Sequence, residues 1–137
     1  MTRLLKAFMI LFFSSAVLAG CAKQPSPPMP RYRIATQIDI YCKQEDFVIH
    51  RQYTDPKKME AVLIYLRLLK PQGTPAVDPE KADGDLYEIT VTLLDGRKNT
   101  YLQKSHRYFS KDAVNWKNID SRKAAELYRL MRYLPSD

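Results

Sequence analysis

Leu86-Tyr87-Glu88-Ile89-Thr90-Val91-Thr92-Leu93-Leu94-Asp95-Gly96-Arg97-Lys98 reads as one arm and the tip of a β-hairpin. Tyr87, Ile89, Val91 and Leu93 alternate with Glu88, Thr90 and Thr92. A period of two sends one set to a buried face and the other to the opposite surface. Asp95-Gly96 signals a tight turn, because a two-residue type I′ loop needs positive φ at both positions. The return strand is expected over residues 97–109. With that turn, Ile89 faces Leu102, Val91 faces Thr100, and Thr90 faces Tyr101 on the other surface.

A second hairpin stands upstream. Tyr32, Ile34, Thr36, Ile38, Ile40 and Cys42 alternate with Arg33, Ala35, Gln37, Asp39, Tyr41 and Lys43. After the polar turn Gln44-Glu45-Asp46, Phe47, Ile49, Arg51 and Tyr53 alternate with Val48, His50 and Gln52. Matching the apolar faces sets Ile40 against Ile49 and Asp39 against His50.

Each hairpin leads to a helix. Thr54 or Asp55 can cap the first, and Pro56 suits its first turn because the missing N–H has no helical partner there. Met59, Val62, Leu63, Leu66 and Leu69 form a helical stripe, widened by Ala61, Ile64, Tyr65 and Leu68, so this helix is expected to be well covered. Lys70-Pro71 stops it. Asp120 or Ser121 caps the second helix, whose stripe is Ala124, Leu127, Tyr128, Leu130, Met131 and Leu134. Between the units, residues 71–85 form a long proline-containing crossing loop, a length that points to mobility or, as the alternative, to a functional loop that could itself meet a partner. Trp116 and Ile119 read as apolar plugs in a loop or a short extra strand. Overlaying the helices aligns Asp55 with Asp120, Val62 with Leu127 and Leu66 with Met131. The expectation is a single α+β domain over residues 31–137: duplicated ββα units forming a four-stranded antiparallel sheet with two helices on one face.

The first 30 residues obey different rules. Arg3 and Lys6 precede an apolar run over residues 7–19, thirteen residues long, which is too short for a membrane span of about 20 helical residues. A charged start, a short apolar run and small residues before a cleavage point describe a secretory signal. Leu18-Ala19-Gly20-Cys21 resembles the lipobox of bacterial lipoproteins. The resemblance implies cleavage before Cys21, diacylation of its thiol and acylation of the new amino terminus. Residues 1–20 are then a lipoprotein signal peptide, and residues 21–30 are a lipidated cysteine with a proline-rich tether. The implied location is the cell membrane, lipid-anchored, on the extracytoplasmic side. One acyl chain binds marginally, whereas two or more anchor stably. Pro25, Pro27, Pro28 and Pro30 favour polyproline II, which over residues 22–30 reaches about 28 Å.

Charge and side-chain inventory narrow the function. The chain has 22 Lys and Arg against 15 Asp and Glu; without Arg3 and Lys6 the balance is 20 against 15, a mature net charge of +5. An exported, tethered domain has little access to nucleic acid, so none is expected as a partner. Anionic headgroups or an anionic wall polymer fit better. With Cys21 acylated, Cys42 has no disulfide partner and reads as a small buried residue. His50 and His106 lack a second ligand at metal-binding spacing, and no phosphate loop or nucleophile elbow occurs. No enzyme, metal or cofactor is expected. The candidate partner-binding face is the sheet surface opposite the helices, carrying Tyr41, His50, Tyr101, Gln103 and Arg107, with Val48 and Phe109 beside them. Aromatic and cationic residues together resemble interface centres, although strand propensity alone also favours tyrosine on a half-solvated sheet. Two classes follow: a small extracytoplasmic binding or accessory module for an envelope protein or polymer, or a structural envelope protein adhering through its basic surface.

Overall fold

The computed structural model describes residues 34–137. The signal segment, Cys21, the proline tether and the start of the first expected strand lie outside the described residues.

Six strands make one antiparallel sheet: β1 (Ala35–Lys43), β2 (Val48–Tyr53), β3 (Leu86–Leu93), β4 (Lys98–Lys104), β5 (Tyr108–Ser110) and β6 (Trp116–Asn118), ordered β2-β1-β3-β4-β5-β6. Helix α1 (Pro56–Leu68) and a 3₁₀ turn (Pro79–Lys81) lie between β2 and β3; α2 (Ser121–Ala124) and α3 (Glu126–Tyr133) follow β6. The class is α+β, but the sheet has six strands where four were expected, and the β5–β6 hairpin interrupts the second ββα unit. The cause is local. Ser105 takes φ 51, and the Arg107 N–H donates to the Lys104 carbonyl at 3.3 Å. The return strand therefore ends at Lys104 and folds back as β5, pairing Gln103 with Phe109.

One face of the sheet builds the core. Ile38, Ile40 and Cys42 of β1, Tyr53 of β2, Tyr87, Ile89 and Val91 of β3 and Phe109 of β5 pack with Met59, Val62, Tyr65 and Leu69, and with Ala124, Leu127 and Met131. Ile40, in a central strand, is wholly shielded from solvent. Its truncation to alanine costs about 2–5 kcal/mol.

The helix ends follow their caps. The Asp55 carboxylate accepts from the Lys57 and Lys58 N–H groups at 3.1 Å each, and Asp120 accepts from the Arg122 N–H at 2.9 Å. Lys70 adopts φ 46 just before Pro71 and ends α1. Coverage is thinner than expected. Leu63, Ile64 and Leu68 remain exposed, as does Tyr128 on α3.

The β3–β4 register departs from expectation by one residue: Ile89 pairs with Tyr101, Thr90 with Thr100 and Val91 with Asn99. The loop has three residues rather than two. The Gly96 N–H donates to the Leu93 carbonyl at 2.9 Å, the Leu93 N–H to the Arg97 carbonyl at 2.8 Å, and Gly96 sits at φ 86. This is a turn closed by a left-handed glycine bulge, the other loop that Asp-Gly serves. The Asp95 carboxylate steadies it by accepting from the Arg97 N–H (3.0 Å) and Nε (2.7 Å). A one-residue slip turns every β4 side chain to the other face. The β1–β2 register is displaced by two, pairing Cys42 with Ile49, Ile40 with Arg51 and Tyr41 with His50. An even displacement leaves the faces unchanged.

Each edge strand is met at one residue by a neighbouring segment, which blunts the edge. On β6, Gln72 and Asn118 exchange two backbone bonds of 3.0 Å each. This pairing, with the Ser105 N–H bonded to the Asp85 carbonyl at 2.8 Å and Pro79 buried, pins the crossing loop that was expected to be mobile. On β2, the Gln52 carbonyl accepts from the Asp137 N–H, and the Gln52 N–H donates to Ser136 Oγ, both at 3.0 Å.

Candidate partner-binding face

Strand alternation leaves Gln37, Asp39, Tyr41 and Lys43 of β1, His50 and Gln52 of β2, and Glu88, Thr90 and Thr92 of β3 on the side without helices. Tyr41 lies directly across from His50. Their rings stack with centroids 4.3 Å apart and planes 1° from parallel. The His50 Nε2 lies 3.0 Å from Asp39 Oδ1, and Gln37 Nε2 donates to Asp39 Oδ2 at 2.7 Å. Because a carboxylate only accepts, this contact places a proton on Nε2 in either charge state of the ring. Asp39 and His50 thus meet diagonally rather than as the directly paired residues expected from the sequence. Beside them, Lys43 bridges to Glu88 at 3.1 Å. Exposed pairs of this kind contribute only about 0–1 kcal/mol each. Their consequence is geometric: four side chains hold one another in a fixed array on open sheet.

Only part of the expected face is assembled there. Tyr101 and Gln103 lie on the helix side, because the one-residue slip of β4 carries them inward together. Tyr101 stacks on Phe109 at a centroid distance of 6.0 Å, and Phe109 is core rather than surface. Gln103 is fully enclosed. Its side-chain carbonyl accepts from the Tyr65 hydroxyl, and its amide donates to the Ser105 carbonyl at 2.9 Å and the Ala124 carbonyl at 3.3 Å. Burial drives the Tyr65 hydroxyl pKa far above its ordinary value, so it stays a proton donor. Arg107 is exposed in the β4–β5 turn, three strands across from Tyr41, or about 14 Å at strand spacing. The face that remains is centred on Tyr41 and His50, with Asp39 and Gln37 as positioning groups. Gln37 was absent from the sequence-level set, though its i, i+2 spacing to Asp39 on one strand face signals the contact.

The sulfur chemistry is quiet. Cys42 faces the helices and His50 faces away, as their parity requires. Burial first, then the Asp85 charge, with Oδ2 at 4.0 Å from Sγ, push the thiol pKa upward. A protonated thiol is a poor nucleophile. Among the described residues no group of three or more His, Cys, Asp or Glu is placed to hold a metal ion, and no helix is long and apolar enough to cross a membrane. The Trp116 indole N–H is screened from solvent and meets no acceptor among the described residues.

In comparison with known proteins, the chain matches no family model, no curated protein and no solved structure.

Proposed function

We propose that this chain is a membrane-anchored lipoprotein of the extracytoplasmic side, a small binding or accessory module held by acylated Cys21. The open sheet face around Tyr41 and His50 receives an envelope partner. The observation that carries the reading is the Tyr41–His50 stack, braced by Asp39 and Gln37 on the surface the helices leave bare. An aromatic pair already fixed in place loses little side-chain entropy when a partner covers it. Two hairpin–helix units, the second enlarged by β5–β6, support the view of the domain as a duplicated scaffold for that face.

The competing reading, adhesion of a structural protein through a basic surface, has less charge to draw on. Lys23, Arg31 and Arg33 belong to the tether and its junction; residues 34–137 hold 17 Lys and Arg against 15 Asp and Glu, a balance of only +2. The basic excess sits nearest the lipid anchor rather than across the fold.

The test is co-purification with tagged, acylated protein from detergent-solubilised envelope, comparing wild type with Tyr41→Ala/His50→Ala. The reading expects a partner retained at several hundred millimolar salt, where the Debye length falls to a few ångströms, and lost in the double variant with an unchanged melting midpoint. Retention by the double variant, or release of all bound material by salt alone, contradicts it.

A further inference from the structure

The sheet has two unlike ends. At one, the Leu94 N–H donates to the Ile34 carbonyl at 2.8 Å, fastening the β3–β4 tip to the point where the tether enters the fold. Ile34 and Leu94 are 39% and 50% exposed. Behind them, on the helix side, a groove of about 360 Å³ opens among Ala35, Leu63, Val91, Leu93, Tyr101, Arg97 and Asn99. Lys98 begins β4 at this end and makes no ion pair among the described residues. Arg31 and Arg33 immediately precede Ile34 in the chain. At the other end, the β1–β2 turn carries Glu45 and Asp46 beside exposed Phe47 and Val48, and the β4–β5 turn carries exposed His106 and Arg107.

The geometry points to the Ile34–Leu94 end as a membrane-docking surface, seated on the anionic headgroup layer of the bilayer that holds Cys21. Two features select a lipid surface as the occupant. The chain leaves the fold here toward its anchor, so this end is held within tether reach of the bilayer. Exposed Ile34 and Leu94 lie at the end where Lys98 begins β4, and Arg31 and Arg33 precede Ile34 in the sequence, a composition that pairs acyl insertion with headgroup attraction. Seated this way, the domain keeps its strands upright and leaves Tyr41 and His50 open to the side. The inference rests on the lipoprotein reading and adds orientation to it.

The test uses the acylated full chain, with Leu94→Cys or Phe47→Cys bearing an environment-sensitive fluorophore, on vesicles of phosphatidylcholine and phosphatidylglycerol. The native thiols do not interfere, since Cys21 is blocked by acylation and Cys42 is buried. Quencher-bearing lipids report depth, and intact mass of the same sample reports acylation. The expected result is at least twofold stronger quenching at position 94 than at position 47, weakened when phosphatidylglycerol is omitted. With acylation present, equal quenching at both tips, or stronger quenching at 47, overturns the docking surface alone. An unmodified Cys21 in protein that does not sediment with vesicles overturns the anchor, and the docking surface with it.

Discussion

The Tyr65 hydroxyl of α1 donates to the side-chain carbonyl of Gln103 on β4, inside the apolar core. The contact joins the helix layer to β4. Two further bonds from the Gln103 amide, to Ser105 and Ala124, carry the same node to the β4–β5 turn and to α2. A buried amide is stabilising only while all its partners are present. Tyr65→Phe strips one and leaves the Gln103 carbonyl unsatisfied at a cost of about 1–3 kcal/mol. At about 4–8 °C per kcal/mol, calorimetry should show a clear drop in melting midpoint. Gln103→Leu in the Tyr65→Phe background should not double the loss, because the orphaned carbonyl disappears. Strict additivity of the two would contradict a shared bond.

The β3–β4 tip and the β4–β5 turn separate conformational from steric cost at glycine. A Cβ at Gly96 meets nothing within 4 Å, so Gly96→Ala suffers only from the left-handed backbone, about 1–2 kcal/mol. A Cβ at Gly84, with φ 119, comes within 2.6 Å of the Ser105 Cβ. Gly84→Ala should therefore lower the midpoint more than Gly96→Ala in paired thermal melts. The reverse order would count against the close packing of the crossing loop on the β4–β5 turn.

Asp137 latches the end of the fold. Its carboxylate accepts from the Thr54 and Asp55 N–H groups at 2.6 and 2.7 Å and bridges Lys58 at 2.7 Å. These bonds, with Lys58 first, hold its pKa well below the ordinary carboxylate value. A pKa lower in the folded than in the unfolded chain means the latch contributes fully above the unfolded value, about 3.9. The contribution fades as pH falls from there toward the folded value. Asp137→Ala should accordingly destabilise at pH 7, with the difference from wild type shrinking below about pH 4. Hydrogen exchange at Thr54 and Asp55 reads the latch directly. A pH-independent difference would assign the effect to packing instead.

Cys42 should ignore thiol reagents while the domain is folded. It is fully shielded, and its pKa is raised by burial and by Asp85. Maleimide modification of a Cys21→Ala chain at pH 8 is expected to proceed only as fast as unfolding, and to accelerate in denaturant. Rapid native labelling would show an accessible thiol and reopen a reactive role.

Much of this architecture is legible in the residues. The period of two in β1, β2 and β3, the Asp55 and Asp120 caps and the Lys70-Pro71 stop are local signals that tertiary packing reinforces. Register is harder, because Asp95-Gly96 suits both a two-residue loop and a three-residue loop with a glycine bulge. That single residue moves Tyr101 and Gln103 from the expected binding face into the core, where Gln103 becomes the polar node. The β1–β2 pairing slipped by two residues without consequence for the faces, so Tyr41 and His50 remain where the alternation put them. β5 and β6 have three residues each, too few for a periodic signal. The break that creates them falls at Ser105, a left-handed residue that no glycine or proline marks.

Acylation at Cys21 is the claim on which location, tether and docking all depend. Its most direct test is intact mass and fractionation of the protein from its native host, beside Cys21→Ala. The expected result is a chain beginning at Cys21, carrying acyl groups and released from membranes only by detergent, with Cys21→Ala uncleaved and unacylated. A soluble, unacylated wild-type chain would contradict it and return the full chain, with its net charge of +7, to the class of basic proteins that seek nucleic acid or soluble protein partners.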